Sequence, residues 1–244
     1  MKQMISTLFA MLFAVSVLAQ DAEEVIRKVD ENLSAESRIV ESSMTVHGRR
    51  SSRTMTSKSY TIGNEKSFTE YLSPAREKGT KMLKLGKEMW LYSPSTDRTI
   101  MISGHMLRQS VMGSDLSYED MMEDRKLTDI YSASLIGEET LEGRECYVLE
   151  LTAKVEDVAY ESQKLWVDAE RFVPLKQELY AKSGQLLKRI TLSDIRRENN
   201  RWYPMKMIYK DVLKEGKGTE WIITNIEFDT VIPDHIFSKA SLKQ

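Results

Sequence analysis

Short stretches of alternating polar and apolar residues, bounded by turn-forming residues, follow one another along most of this chain. Two of them, 44–47 and 53–60, alternate β-branched, aromatic or apolar side chains with polar ones. This period of two is typical of a strand with one buried face. Comparable runs, separated by the Gly, Pro, Asn and Asp residues that close hairpins, lie at 65–72, 79–85, 88–92, 99–102, 133–136, 145–152, 163–167, 173–180, 186–196, 202–212 and 220–228. The pattern predicts a mainly β protein (α+β) with about 11 to 12 antiparallel strands.

Two segments break the strand pattern and predict helices. Residues 21–33 begin with acidic side chains, which suit the start of a helix, and carry the apolar stripe Val25, Ile26, Val29 and Leu33. After Ile102 the alternation lapses for about 25 residues, in which 116–122 is predicted to be a short helix with Ser114 or Asp115 near its start. We therefore expect a strongly curved sheet with an N-terminal helix and a mid-chain helical segment on its concave face.

Residues 1–19 are expected to be a secretory signal peptide. Lys2 precedes an apolar run at 4–18, and small residues surround the expected cleavage site after Ala19. The run is short for a membrane-spanning helix, so an uncleaved anchor is the weaker interpretation. No cysteine follows Ala19 directly, which argues against a lipid-anchored amino terminus. Residues 20–244 are then expected to be a single soluble domain in the periplasm.

Composition and motifs argue against several classes of function. Without Lys2 the formal net charge changes from −2 to −3, and charges of both signs are interspersed, so no nucleic acid partner is expected. His47, His105 and His235 are isolated from one another, which leaves no zinc motif. Cys146 is the only cysteine and lies in a strand-like run, where we expect a small buried apolar residue. No phosphate-binding or dinucleotide-binding motif is present, and neither a metal nor a cofactor is expected.

A serine hydrolase is the main alternative from a different class. Ser103 or Ser114, with His105 and Asp115, supply the residue types of a catalytic triad. The segment 112–115 contains only one glycine of the G-x-S-x-G elbow that would support it. A lipid-modifying esterase therefore remains an alternative, and the favoured interpretation includes no catalytic residue.

One block of the chain resembles a known family. It consists of Trp90-Leu91-Tyr92, Pro94, Arg98, Ile102-Ser103-Gly104, Met112-Gly113-Ser114-Asp115 and Ser117-Tyr118-Glu119-Asp120. In these residues the chain resembles outer-membrane lipoprotein-sorting proteins, the LolA-like periplasmic carriers. The resemblance implies an unclosed β-barrel with helices as a lid, and transport without covalent chemistry. Elsewhere the chain shares only the strand pattern with that family.

The same region is rich in methionine, whose flexible thioether chain suits apolar surfaces that repack around different ligands. Burial of each methylene of an acyl chain contributes about 0.8 kcal/mol, so an apolar cavity can hold a lipid without a specific polar contact. The residues expected to form the lipid cavity and lid are Trp90, Tyr92, Met101, Met106, Met112, Leu116, Tyr118 and Met121. Arg98, Arg108 and Asp115 are expected at a polar cavity mouth or as a latch for the lid. The period of two does not determine which strand face lines the cavity, because a shift of one residue reverses the two faces.

The favoured interpretation is a periplasmic carrier that binds acyl chains of lipoproteins or lipids and moves them between membranes. Its expected partners are an acylated lipoprotein or a phospholipid, together with an inner-membrane exporter and an outer-membrane acceptor. The carrier itself is expected to be a monomer. A periplasmic accessory or sensor subunit of an exporter of lipids or other hydrophobic compounds is the other alternative, since no residue distinguishes it from a carrier for the lipoprotein pathway.

Overall fold

A computed structural model describes residues 21–48 and 51–244, so the expected signal peptide at 1–19 lies outside the described residues. One sheet contains all the strands of the described ranges. These are β1 (Ser37–His47), β2 (Ser52–Ile62), β3 (Lys66–Ser73), β4 (Lys81–Leu85), β5 (Glu88–Ser93), β6 (Arg98–Ile102), β7 (Tyr131–Leu141), β8 (Arg144–Ala153), β9 (Ser162–Asp168), β10 (Pro174–Tyr180), β11 (Leu186–Glu198), β12 (Arg201–Asp211) and β13 (Thr219–Phe228). None of the helices in these ranges has the length and hydropathy needed to span a bilayer.

The sheet is a linear series of neighbouring strands. From edge to edge the order is β6-β5-β4-β3-β2-β1-β13-β12-β11-β10-β9-β8-β7, so two meanders meet where β1 pairs with β13 in antiparallel orientation. The edge strands β6 and β7 do not pair with each other in the part of the chain that the structure describes. The predicted unclosed antiparallel barrel is confirmed, and the thirteen strands are slightly more than the 11 to 12 expected.

One clear difference from the predicted strands is in β7, which was expected to end at Ile136. The pairing of β7 with β8 shifts register between Leu135 and Gly137 and then continues as far as Leu141. A bulge of this kind interrupts the alternation of side chains without ending the ladder. The sequence pattern therefore predicts a loop where the backbone is still paired.

The N-terminal helix α1 (Ala22–Leu33) confirms the helix predicted at 21–33. Asp21 caps it by accepting a hydrogen bond from the backbone N–H of Glu23 at 3.1 Å. The buried side chains of this helix pack against apolar residues of β7, β8 and β9, and the resulting cluster includes Val25, Ile26, Val29, Tyr131, Leu149, Leu151, Leu165 and Val167. The helix thus covers the half of the sheet that ends at β7.

Residues 103–130, here called the connecting segment, lead from β6 at one edge of the sheet to β7 at the other. They contain two short 3-10 helices, Gly104–Arg108 and Val111–Gly113, followed by α2 (Tyr118–Met122) and α3 (Leu127–Ile130). Because β6 and β7 are consecutive strands at opposite edges, the segment between them has to pass over one face of the sheet.

The helix predicted at 116–122 is present but begins two residues later. Ser117 caps α2, since its side chain accepts from the N–H of Asp120 at 3.2 Å. The carboxylate of Asp120 in turn accepts from the N–H of Ser117 at 2.6 Å. This reciprocal capping box takes the role that was expected of Ser114 or Asp115.

Each strand divides its side chains between two faces. On β5, Met89 and Leu91 lie against the connecting segment, whereas Trp90 and Tyr92 belong to a cluster on the opposite side. We call these the inner face and the outer face. Next to β3, β4 and β5 the outer face is covered by the chain that follows β13, through Ile232, Phe237 and Leu242.

The ladder of hydrogen bonds between β12 and β13 is short. These two strands pair only over Lys206–Tyr209 of β12, and Pro204 lies just before that ladder, paired with Ile195 of β11. A proline has no N–H for a second ladder, which suits this position. The end of α1 bonds to β12 here, where Asn32 accepts from the N–H of Trp202 at 2.8 Å.

Asp30 joins α1 to the connecting segment. Its buried carboxylate accepts from the N–H of Leu127 at 2.8 Å and from the N–H and the hydroxyl of Thr128 at 2.9 and 2.7 Å. Asp30→Ala leaves these donors unpaired, and we expect it to lower the free energy of unfolding by about 2 to 3 kcal/mol in urea titrations. Glu31→Ala, which removes an exposed partner of Arg27 from the same helix, should change it by less than about 0.5 kcal/mol. Equal losses in the two variants would contradict this role of Asp30.

Candidate functional site

Two cavities lie between the inner face and the helical elements that cover it. The first has a volume of about 300 Å³, and its apolar lining includes Leu165, Leu179, Ile190, Leu192 and Met207. The second has a volume of about 250 Å³, and its apolar lining includes Val40, Leu116, Met121, Trp221 and Ile223. They share a boundary formed by Arg38, Asp120, Glu123, Asp124, Tyr203, Met207 and Tyr209. The boundary therefore consists of sheet residues and of residues 120–124 of the connecting segment.

Beside the cavities, the connecting segment packs on the inner face through a cluster rich in methionine. The sheet and the segment contribute four each, namely Met44, Met55, Met82 and Met89, and Met106, Met112, Met121 and Met122. Leu116 and Tyr118 are buried in the same cluster. Flexible thioether chains on both sides of this contact can adapt their packing to different apolar neighbours.

The structure divides the eight residues expected to form the cavity and lid into two groups. Those in the methionine-rich cluster, Met106, Met112, Leu116, Tyr118 and Met121, lie between the segment and the inner face. Trp90, Tyr92 and Met101 do not: Trp90 and Tyr92 belong to the outer-face cluster, and Met101 pairs with Trp90 at the edge of the sheet. The expectation that these three line the cavity does not hold, because neighbouring residues such as Met89 and Leu91 have the inward register.

The three polar residues expected at the cavity mouth or latch also separate. Arg98 is exposed on edge strand β6. Arg108 is exposed as well, and it borders a third cavity of about 330 Å³ that is also lined by Asp115, Lys188 and Lys214.

Asp115 is buried and fastens the connecting segment to the strands β12 and β13. Its carboxylate accepts from the backbone N–H of Asp211 at 3.0 Å and from the hydroxyl of Thr219 at 2.8 Å. Its own N–H donates to the Thr219 hydroxyl at 2.9 Å. Three hydrogen bonds in a buried position thus hold this end of the segment to the sheet.

Asp120 forms a second fastening at the boundary of the two cavities. Its carboxylate accepts from the Tyr160 hydroxyl at 2.6 Å and pairs with the ammonium group of Lys188, which is also buried. Burial raises the pKa of Tyr160, and the neighbouring charge of Asp120 adds to the effect, so the phenol remains a hydrogen-bond donor. The Asp120 carboxylate, which caps α2, therefore also links the segment to β11.

Two further cations of the inner face contact the segment, Arg38 on β1 and Lys84 on β4. Arg38 pairs with Asp124, and although burial alone would lower its pKa, its interactions with Tyr203 and Asp124 raise it. Lys84 donates to the carbonyl oxygen of Met122 at 2.6 Å and to that of Asn64. Burial lowers the pKa of Lys84, since nearby carboxylates offset its desolvation only in part.

Sequence reasoning missed Arg38, Lys84, Lys188 and Tyr160 as members of this site. The available signal was a charged residue in an apolar strand. Lys84 lies within the run Lys-Met-Leu-Lys-Leu of β4, of which four residues are buried. A lysine in an apolar strand identifies a site residue only when the inward face is known, because Lys81 of the same strand is equally buried on the outer face.

The residues of the hydrolase alternative are not arranged as a catalytic triad. The Ser114 hydroxyl is fully buried and bonds to the backbone of Leu116, at 3.1 Å to its N–H. The carboxylate of Asp115 is engaged with Asp211 and Thr219, and His105 is exposed. No group of three or more His, Cys, Asp or Glu side chains that could hold a metal ion is found in residues 21–48 and 51–244.

Solved structures with the same fold come from several bacteria. A DUF1329 family protein from Desulfovibrio piger is 25% identical, with a TM-score of 0.80, over 90% of this chain and 97% of the other. A LolA superfamily protein from Nitrosomonas europaea is 27% identical, with a TM-score of 0.75, over 90% and 98%. A putative outer membrane lipoprotein-sorting protein domain from Vibrio parahaemolyticus is 24% identical, with a TM-score of 0.77, over 91% and 98%, which shows the shared fold.

Sequence comparison identifies the family. No curated protein matches the chain at a significant level. A family model described as "Uncharacterized protein" matches residues 63–244. This match includes the whole connecting segment and eleven of the strands, from β3 to β13. The resemblance seen in the sequence block at 90–120 is confirmed by the solved structures, and the chain belongs to the family that this model describes, with a fold like that of the LolA superfamily protein.

Proposed function

We propose that this protein is a non-enzymatic carrier that binds the acyl chains of a lipid or lipoprotein between its sheet and its connecting segment. The observation that carries the proposal is the pair of apolar-lined cavities on the inner face, separated by residues 120–124. Binding in such a space requires no covalent step. It draws on apolar burial, at about 0.8 kcal/mol for each methylene.

The volumes of the cavities support a segment that moves. Each is at or below the lower end of the range typical of ligand sites, about 300 to 1,000 Å³. A long acyl chain therefore fits only if residues 120–124 leave the shared boundary and the two spaces merge. The ligand then replaces contacts that the segment makes in the empty protein. The free energy of binding is the difference between the contacts of the ligand with the sheet and the contacts of the segment that are lost.

The contacts of the segment suit such an exchange. The apolar part consists largely of methionines, which can repack. The polar part consists of separate bonds, which include those of Asp115, Asp120 and Asp124 and that of the Met122 carbonyl oxygen to the sheet. We assign Met106, Met112, Leu116, Tyr118 and Met121 to the lid, and Asp115 to its latch.

The printed description of one relative and the expected signal peptide support a role between two membranes. The Vibrio protein is described as a putative outer membrane lipoprotein-sorting protein domain. We propose that the carrier acts in the periplasm, as a monomer that receives its cargo from an inner-membrane exporter and delivers it to an outer-membrane acceptor. An accessory subunit of a lipid exporter would use the same cavity.

A substitution that fills the first cavity should reduce binding. Ile190 lines this cavity from β11, so the indole of Ile190→Trp would occupy volume that acyl methylenes need. Loss of about two methylenes of contact weakens affinity by about tenfold. Titration with a fluorescent palmitoyl lipid measures this change.

The matched control is Ile222→Trp. Ile222 is half-buried on β13 and, next to the inward Trp221 and Ile223, lies on the outer face. It should leave lipid affinity within about twofold of the wild type. Equal affinity of the two variants for the lipid would show that the inner cavity is not the binding site.

Release of the latch should favour the open state. Asp115→Ala removes the bonds to Asp211 and Thr219 and should lower the free energy of unfolding by about 1 to 3 kcal/mol. Because those bonds hold only the closed state, the variant should bind the palmitoyl lipid more tightly, with faster amide hydrogen exchange in the segment. Asp129→Ala, which removes an exposed carboxylate from α3, is the control and should change neither property. A destabilised Asp115→Ala variant with unchanged or weaker affinity would contradict a moving lid.

A further inference from the structure

The charges that line the two inner cavities are divided between the sheet and its cover. Helix α1 and the connecting segment contribute the carboxylates, which are those of Asp30, Asp120, Glu123 and Asp124, and the segment also contributes Arg125, whose guanidinium group pairs with Glu123 and Asp157. Among the described residues that line these cavities, no strand contributes a carboxylate, whereas strands contribute the cations of Arg38, Lys66, Lys84 and Lys188. The inner face is therefore a basic, apolar surface beneath an acidic segment.

The inward cations that line these cavities bond to the segment, although Arg38 also donates to the carbonyl oxygen of Leu33 at 3.3 Å. Residues 120–124 supply the Asp124 carboxylate to Arg38, the Met122 carbonyl oxygen to Lys84 and the Asp120 carboxylate to Lys188. Lys66 differs, because its ammonium group is turned to Asp234 near the C-terminus. Each of the three inward cations that line the cavities thus has a partner among five consecutive residues of the part of the protein that we expect to move.

When the segment is displaced, these cations keep different numbers of polar partners. Lys188 has a cross-strand neighbour, Asp211, which lines the third cavity and lies 3.6 Å from Lys214. Lys84 keeps only the carbonyl oxygen of Asn64, and no carboxylate of the described residues lies within ion-pair distance of its ammonium group. A cation that stays in an apolar site without a partner is costly. An anion brought by the ligand would remove that cost at Arg38 and Lys84.

Resting on the carrier function proposed above, we propose that the cargo is an anionic amphiphile whose charged group binds between Arg38 and Lys84. Its acyl chain would extend over the apolar lining toward Ile190 and Leu192. The shared chemistry is a phosphate or carboxylate at the end of a long acyl chain, as in a phospholipid or a fatty acid. The acylated amino terminus of a lipoprotein, whose fatty acids are held in ester and amide bonds, has no such group and would leave Lys84 unpaired.

Three ligands with one palmitoyl chain each test the charge preference. They are palmitate, palmitoyl-lysophosphatidylglycerol and the neutral monopalmitoylglycerol, each used below its aggregation limit to displace a fluorescent fatty acid from the full chain. At least one of the two anionic ligands should bind about tenfold more tightly than the neutral one, as expected for charged hydrogen bonds to a buried cation. The stronger of the two identifies the anion as carboxylate or phosphodiester.

Two lysines of β4 provide a matched pair of variants. Lys84→Met should abolish the preference for the anionic ligand and leave the affinity for monopalmitoylglycerol within about twofold. Lys81→Met is the control, since Lys81 is as buried as Lys84 and also donates to two carbonyl oxygens, of Ser241 and Gln244, but on the outer face. It should retain the full preference. Lys84→Arg keeps the charge and should retain most of it, which provides a second variant if Lys84→Met does not fold.

The outcomes separate this inference from the carrier function. Equal affinity of the wild type for all three ligands would overturn the anionic cargo and leave the carrier intact. A preference that survives Lys84→Met would overturn the site at Lys84. Failure of every palmitoyl ligand to bind would overturn the carrier function itself, and this inference with it.

Discussion

The covering of the inner face follows from one topological constraint. Strands β6 and β7 are consecutive in the chain but lie at opposite edges of an unclosed sheet, so residues 103–130 must cross the sheet to join them. A curved sheet offers the shorter path over its concave side, where apolar side chains also need cover. The same crossing buries the methionine-rich cluster, leaves the cavities beside it and brings the acids of residues 120–124 over the sheet cations. Closure of the barrel between β6 and β7 would remove the need for such a segment.

An unclosed sheet also has two free edges, and different features hinder pairing with another strand at each of them. At β7, the carboxylate of Glu23 accepts from the backbone N–H of Ala133 at 2.9 Å, and the bulge at Ile136 distorts the strand. Both features discourage pairing with another sheet. At β6 the strand has only five residues, although Ile100 and Met101 are 44% and 45% exposed. A short edge limits the number of hydrogen bonds that a second strand can form, which is compatible with a monomer.

The elements of the fold were largely predictable from the sequence, whereas the members of the site were not. Alternation and turn residues define most of the strands, because each strand needs one buried face wherever it lies in the sheet. The site depends on which face is inward, and the same β5 run offers Met89 or Trp90 with equal apolar character. Register is decided by contacts with residues far along the chain, so the larger aromatic side chains were assigned to the wrong side. Lys84 was missed for the same reason, since only the inward face separates it from Lys81.

In the proposed carrier mechanism, the position of Asp120 lets the segment leave the sheet without unfolding. Its capping box with Ser117 lies within the segment, so α2 retains its start when it leaves the sheet. The bonds lost on displacement are those to Tyr160 and Lys188, which belong to the rest of the protein. Helix formation therefore need not be repeated in each binding cycle, and the free energy of opening is limited to the contacts between the segment and the sheet. An anionic ligand that replaces carboxylates at the sheet cations reduces that difference further, which favours loading by a cargo of that charge.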